Sequence, residues 1–97
     1  SRDTLRLWKA RQLALCRALG WDCAPSLANF FCARTTLQGK QALAQALLAL
    51  RLQGIKLRAA SSFGLPGQVR LGVLPPASQD ALRTAWQDLM QVGEVPA

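Results

Sequence analysis

The chain has 97 residues, half of them apolar, with 12 Lys and Arg against 5 Asp and Glu and a net charge of +7. That length fits one small domain, which buries a limited share of its surface and leans on neighbouring protein. The absence of histidine excludes a Ser-His hydrolase and a Cys/His zinc site within this chain.

Residues 3 to 20 read as a helix. Leu5, Trp8, Leu15 and Leu19 share one face, interrupted by Gln12. Asp3 suits the start and Gly20 the stop. Arg6, Lys9, Arg11 and Arg17 line the remainder as a solvated face. Pro25 blocks helix, and the aromatic, apolar stretch Leu27 to Ala33 reads as a buried strand. Thr35 or Thr36 caps a second helix over 37 to 53, with Leu43, Ala46, Leu47 and Leu50 inward and Gly54 at its end.

Residues 55 to 59 alternate apolar and basic, as a half-buried strand does. A loop follows, in which Pro66-Gly67 suits the centre of a type II turn. Residues 68 to 74 alternate again, so the two strands form an antiparallel hairpin. Pro75-Pro76 ends it, and a last helix runs from about Ser78 to 91 with Leu82, Ala85, Trp86 and Leu89 inward. The expected fold is α+β in two layers: a small, mostly antiparallel three-stranded sheet with helices packed on it, in the order αβαββα.

The cysteines, Cys16, Cys23 and Cys32, form no CxxC pair and read as reduced, mostly buried thiols, which points to the cytoplasm. No stretch reaches the ~18 apolar residues of a membrane span. The basic residues are scattered rather than run together, which argues against a nucleic-acid-binding tail. No phosphate-loop template and no pair of carboxylates suited to acid–base work is present. The chain opens on Ser1-Arg2-Asp3 and enters a helical pattern at once, so an excised fragment is expected.

The residues inside this frame carry a more specific signal. The run from Gly54 to Val73 (GIKLRAASSFGLPGQVRLGV) resembles the end of fold-type I aminotransferases. In histidinol-phosphate aminotransferases and threonine-phosphate decarboxylases the same place reads GI-x-VR-D, a short loop, then G-x-(I/V)-R-(I/V). Pro25 to Phe31 (PSLANFF) is similar to their PS-x-ANF strand, and Gln79 to Leu82 to the start of their last helix. Ala59 departs from the Asp of the VRD pattern.

The resemblance implies that residues 1–97 are the C-terminal small domain of a pyridoxal-phosphate-dependent aminotransferase. It implies a substrate that is an amino acid or an amino-phosphate such as histidinol phosphate, or a threonine-phosphate decarboxylase of the same family. The cofactor would be held by a large domain of the same polypeptide, in a homodimer, with neither nucleic acid nor membrane as partner. Lys9, Lys40 and Lys56 lie outside the family's Ser-Lys context, so the isolated chain is expected to be inactive, with no catalytic, cofactor-binding or metal-binding residue of its own. Arg70 takes the role of gripping the substrate's anionic end, Arg58 that of a second anion contact, and Asn29 that of a hydrogen-bonding residue beside them. The guanidinium fork suits bidentate pairing with carboxylate or phosphate. Phe30, Phe31 and Phe63 read as core or loop packing. The competing reading is an independent basic α+β module that binds RNA or a regulatory ligand.

Overall fold

The computed structural model describes residues 2–60 and 67–94, apart from the side chains of residues 92–94. The elements are α1 (Arg2–Ala18), β1 (Asp22–Cys23), β2 (Phe30–Arg34), α2 (Lys40–Leu52), β3 (Arg58–Ala59), β4 (Gln68–Gly72) and α3 (Pro76–Glu94). The four strands form one antiparallel sheet in the order β1-β2-β4-β3. The fold is therefore the expected small α+β fold, with a correction: the sheet has four strands rather than three, and the order is αββαββα. The added strand, β1, pairs Asp22 with Arg34 and Cys23 with Ala33. Two residues are too few to show an alternating pattern.

Helices α1 and α2 end as their glycines predict. At Gly20 the φ is 88° and at Gly54 it is 84°, a left-handed conformation that glycine reaches without a Cβ clash. In each case the glycine and the residue after it return hydrogen bonds to the helix's last turn. Gly20 N bonds Arg17 O at 2.9 Å and Trp21 N bonds Cys16 O at 3.0 Å; Gly54 N bonds Arg51 O and Ile55 N bonds Leu50 O. Such paired bonds satisfy carbonyls that a helix end would leave orphaned.

The other helix boundaries shift. Thr35 is buried and its hydroxyl accepts from Leu37 N at 3.2 Å. It thus closes a local turn, and α2 begins only at Lys40, behind Gly39. Helix α3 begins at Pro76, not Ser78; proline's fixed φ and missing N–H suit the first helical position.

The strands are shorter than expected as well. Ser26 Oγ accepts from Ala28 N and donates to Phe30 O, which curls residues 26–29 into a loop ahead of β2. In the 55–59 stretch only Arg58 and Ala59 pair, and they do so antiparallel with β4, as the hairpin reading requires. The connecting residues 61–66, with Phe63 and the proline of the Pro66-Gly67 turn, lie outside the described residues. Gly67 itself has φ 81°, the value for the second central residue of a type II turn.

Alternation along β2 and β4 sorts the sheet into two faces. Phe31 stands opposite Leu71 and Ala33 opposite Val69, and all four are buried against the helices. Leu43, Ala46 and Leu50 of α2 meet them, as do Leu82, Ala85 and Trp86 of α3 and Leu15 and Cys16 of α1. The Trp21 and Trp86 rings meet edge to face, with centroids 4.8 Å apart. Burial pushes the Cys16 thiol up to about 12, with neighbouring Cys23 adding to the shift, and burial also raises Cys23. Among the described residues no helix is long and apolar enough to cross a membrane.

Gln12, which interrupts the apolar stripe of α1, is wholly buried. Its amide donates to Gly72 O at 3.0 Å and accepts from Leu74 N at 2.7 Å. Gln79, equally buried, donates to Trp8 O and Leu74 O at 2.8 Å each and accepts from Arg11 at 3.0 Å. These two side chains join α1, the end of β4 and α3 where no strand remains to satisfy the backbone. Buried polar groups persist when paired in this way.

Candidate anion site on the outer face of the sheet

The face of the sheet turned away from the helices carries the polar partners of the core residues. Arg70 lies between buried Val69 and Leu71 on β4, so its side chain leaves on the opposite face. Arg58 of β3 is its direct cross-strand partner. Phe30 of β2 pairs with Gly72, one diagonal step from Arg70. The Arg70 guanidinium carbon stands 4.1 Å from the centroid of the Phe30 ring, an attractive cation–π geometry.

These residues, with Asn29 and Lys56, line one open depression of about 360 Å³. All three residues singled out in the sequence, Asn29, Arg58 and Arg70, thus converge on one place. Gly72 adds no side chain to the wall beside Phe30.

Two members escaped the sequence reading. Phe30 is not packing material: it is 39% exposed where its neighbour Phe31 is 1% exposed, and it supports Arg70. The signal for it was present, since adjacent strand residues point to opposite faces, but its contact with Arg70 depends on the register. Lys56 stands two residues before Arg58, in the segment that leads into β3.

The depression gathers three cationic side chains and no acid. The five acids are Asp3, Asp22, Asp80, Asp88 and Glu94, and none lines it. The ion pairs found among the described residues lie elsewhere, from Arg11 to Asp80 at 2.9 Å and from Arg83 to Asp80 at 3.5 Å. Like charges facing one another across strands cost stability. An anion in the depression would relieve that cost, and the planar fork of a guanidinium matches the oxygens of a carboxylate or phosphate.

The same residues do not make a pyridoxal phosphate site. Lys9 is committed to backbone carbonyls, Lys40 opens α2 on the exposed surface, and Lys56 has no carboxylate beside it in the depression. A cofactor of this kind needs a lysine for its aldehyde and a partner for its ring nitrogen at one place. No group of three or more Cys, Asp or Glu among the described residues could hold a metal ion.

No protein-family profile and no curated protein matches the sequence. Solved structures do. A Burkholderia pseudomallei protein provisionally named an aminotransferase superposes with a TM-score of 0.75 at 26% identity, over 90% of this chain and 26% of its own. The L-threonine-O-3-phosphate decarboxylase of Porphyromonas gingivalis gives 0.68 at 26% identity, over 89% and 28%. The histidinol-phosphate aminotransferase of Clostridium acetobutylicum gives 0.71 at 19% identity, over 88% and 26%. The chain spans about a quarter of the length of each. The fold is thus that of a small domain within larger aminotransferase-type enzymes. The resemblance read from the PSLANFF and GIKLR–QVRLGV segments is thus matched by a likeness of the whole fold to small parts of such enzymes.

Proposed function

We propose that this chain is the C-terminal small domain of a pyridoxal-phosphate-dependent aminotransferase, and that it grips the anionic end of the substrate. The observation that carries this reading is the convergence of Arg70, Arg58 and Asn29 on one acid-free depression. Arg70 is the primary clamp, braced by Phe30. Arg58 is the second cation, and Asn29 offers a neutral donor and acceptor at the rim. The reacting atoms and the cofactor belong to a large domain of the same polypeptide.

The substrate is an amino acid or a phosphorylated amine such as histidinol phosphate. A threonine-phosphate decarboxylase is the second reading, favoured by the 26% identity to the Porphyromonas gingivalis enzyme. An independent RNA-binding module is the weaker alternative. Such a module needs several aromatic side chains on one sheet face to stack bases, and the depression holds one, Phe30.

The test is steady-state kinetics of Arg70→Ala and Arg70→Lys in the enzyme that carries this domain. Arg70→Ala removes charge-assisted hydrogen bonds that contribute about 1.5–3 kcal/mol each. At about 1.4 kcal/mol per decade, kcat/KM should fall roughly a hundred-fold or more. Arg70→Lys should recover part of it, since ammonium keeps the charge without the fork. The cofactor absorbance spectrum should stay unchanged in both. Near-native kinetics for Arg70→Ala would return Arg70 to a solvated strand face.

A further inference from the structure

The residues that brace Arg70 sit at the end of a loop that has almost no anchor of its own. Between Pro25 and Phe30, the side chains of Leu27, Ala28 and Asn29 are exposed, and Leu27 is fully so at 107%. The turn made by the Ser26 hydroxyl is internal to the loop and fixes only its local shape. Among the described residues, two sets of hydrogen bonds lead from the loop to the rest of the fold. Asn29 O accepts from Val73 N at 3.1 Å, just beyond β4. On the other side Lys9 reaches across from α1, and its ammonium donates to Ser26 O and, at 2.8 Å, to Ala28 O. The two carbonyls flank Leu27, so one cation holds the loop on both sides of its outward tip.

We propose that Lys9 is the positioning residue of the anion site. Its ammonium fixes the 26–29 loop against α1, so that Asn29 and Phe30, and with Phe30 the guanidinium of Arg70, stand where the anion is gripped. The proposal rests on the reading of the depression as an anion site and adds a residue outside it. Hydrogen bonds from an ammonium to carbonyls are short and strong for their kind. No carboxylate competes for Lys9 among the described residues, and the lysine is partly buried in this position. Phe30 begins β2 immediately after the loop, so slack at residues 26–29 passes directly to the ring on which Arg70 rests. A lysine that merely braced the fold would alter stability and leave the Phe30–Arg70 contact unchanged.

The experiment uses this chain, with NMR and titration of inorganic phosphate. The Arg70 guanidinium carbon stands 4.1 Å from the centroid of the Phe30 ring, so the side-chain N–H resonance is expected to carry an upfield ring-current shift. In Lys9→Met that shift should collapse, and the phosphate Kd should rise on the order of five-fold as the competent arrangement becomes a minor population. Arg6→Gln is the charge control. Arg6 lines the neighbouring depression and holds no loop carbonyl, so its loss should change the Kd by less than about two-fold through screened electrostatics and leave the Arg70 proton in place. Lys9→Arg keeps a cationic donor and should restore part of both signals; it also decides the matter if Lys9→Met does not fold. An unchanged Arg70 resonance in Lys9→Met, or changes equal to those of Arg6→Gln, would overturn the proposal. Phosphate that leaves the Arg58 and Arg70 resonances of the native chain unmoved would instead overturn the anion site, while the Arg70 proton still judges the Lys9 tether.

Discussion

The two faces of one sheet use neighbouring residues for opposite ends. Phe30 and Phe31 share a side chain and adjacent places on β2, yet Phe31 is sealed against the helices and Phe30 is left open beneath a cation. Val69 and Leu71 flank Arg70 in the same manner on β4. The inner face gains from every apolar contact. The outer face accumulates like charge that the fold would be more stable without. Core packing and the proposed anion contacts are thus separated by a single strand step.

The sharpest way to break this comparison is to remove both rings in turn. Phe31→Ala opens a cavity in a core that includes Leu71 and Trp86, and should cost about 3–5 kcal/mol in urea denaturation. Such a loss is a large part of the stability of a domain this size. Phe30→Ala should cost less than about 1.5 kcal/mol, on the scale of one exposed cation–π contact and a partly covered ring. Equal losses would mean that the outer face also carries the fold.

A second test concerns the polar seam at the end of β4. Gln12→Ala strands Gly72 O and Leu74 N, which the glutamine now satisfies. An orphaned buried group costs about 1–3 kcal/mol; these two are only partly buried, so the lower part of that range applies to each, and the variant should lose about 2–4 kcal/mol even though alanine is the better helix former. A neutral or stabilising outcome would return Gln12 to a mere break in the apolar stripe.

Gln12 also shows where sequence reading reaches its limit. Helix periodicity marks which positions face inward: of the expected residues, Leu15, Leu43, Ala46, Leu50, Leu82, Ala85 and Trp86 are buried, while Leu5, Trp8, Leu19, Leu47 and Leu89 are half-buried. Periodicity assigns no role to a polar residue on that face, because its partners are backbone groups 60 and 62 residues away. The helix ends at Gly20 and Gly54 were legible because a glycine stop is local chemistry. Strand β1 and the short pairing of β3 were not, since pairing depends on a partner elsewhere in the chain. In the candidate site, Arg70, Arg58 and Asn29 came from the resemblance. Phe30 and Lys56 had no motif to announce them; the cross-strand register brings Phe30 beside Arg70, and Lys56 is seen only in the lining of the folded depression.

The inner face also predicts a pH response. Cys16 is fully buried, and its thiol is raised from 9.0 to about 12. In the unfolded chain it ionises near pH 9, whereas in the fold it stays protonated. The folded state therefore binds the extra proton, and stability falls as pH rises from 9 towards 12. The slope is at most about 1.4 kcal/mol per pH unit from this group, with full stability retained below pH 9. Urea melts across this range should show a shallower alkaline limb in Cys16→Ala than in the native chain, whatever the offset between the two. Parallel limbs would assign the alkaline loss to other groups.

The smallest expected effect carries the opposite sign. Arg58 and Arg70 are direct cross-strand partners on the outer face, with Lys56 lining the same depression. Opposed like charges on a strand pair cost about 0.2–1 kcal/mol, and Arg58 is exposed, so the lower part of that range applies. Arg58→Gln keeps much of the aliphatic stem and removes the charge. It should therefore stabilise the chain by a few tenths of a kcal/mol at low ionic strength, and the gain should fade as added salt shortens the screening length. The same substitution should weaken phosphate binding, because the anion loses one of the cations around it. A gain in stability coupled to a loss in affinity is what a site assembled at the expense of the fold must show. If Arg58→Gln destabilises the chain and the loss is independent of salt, Arg58 serves the sheet, and Arg70 is left to hold the anion with Lys56.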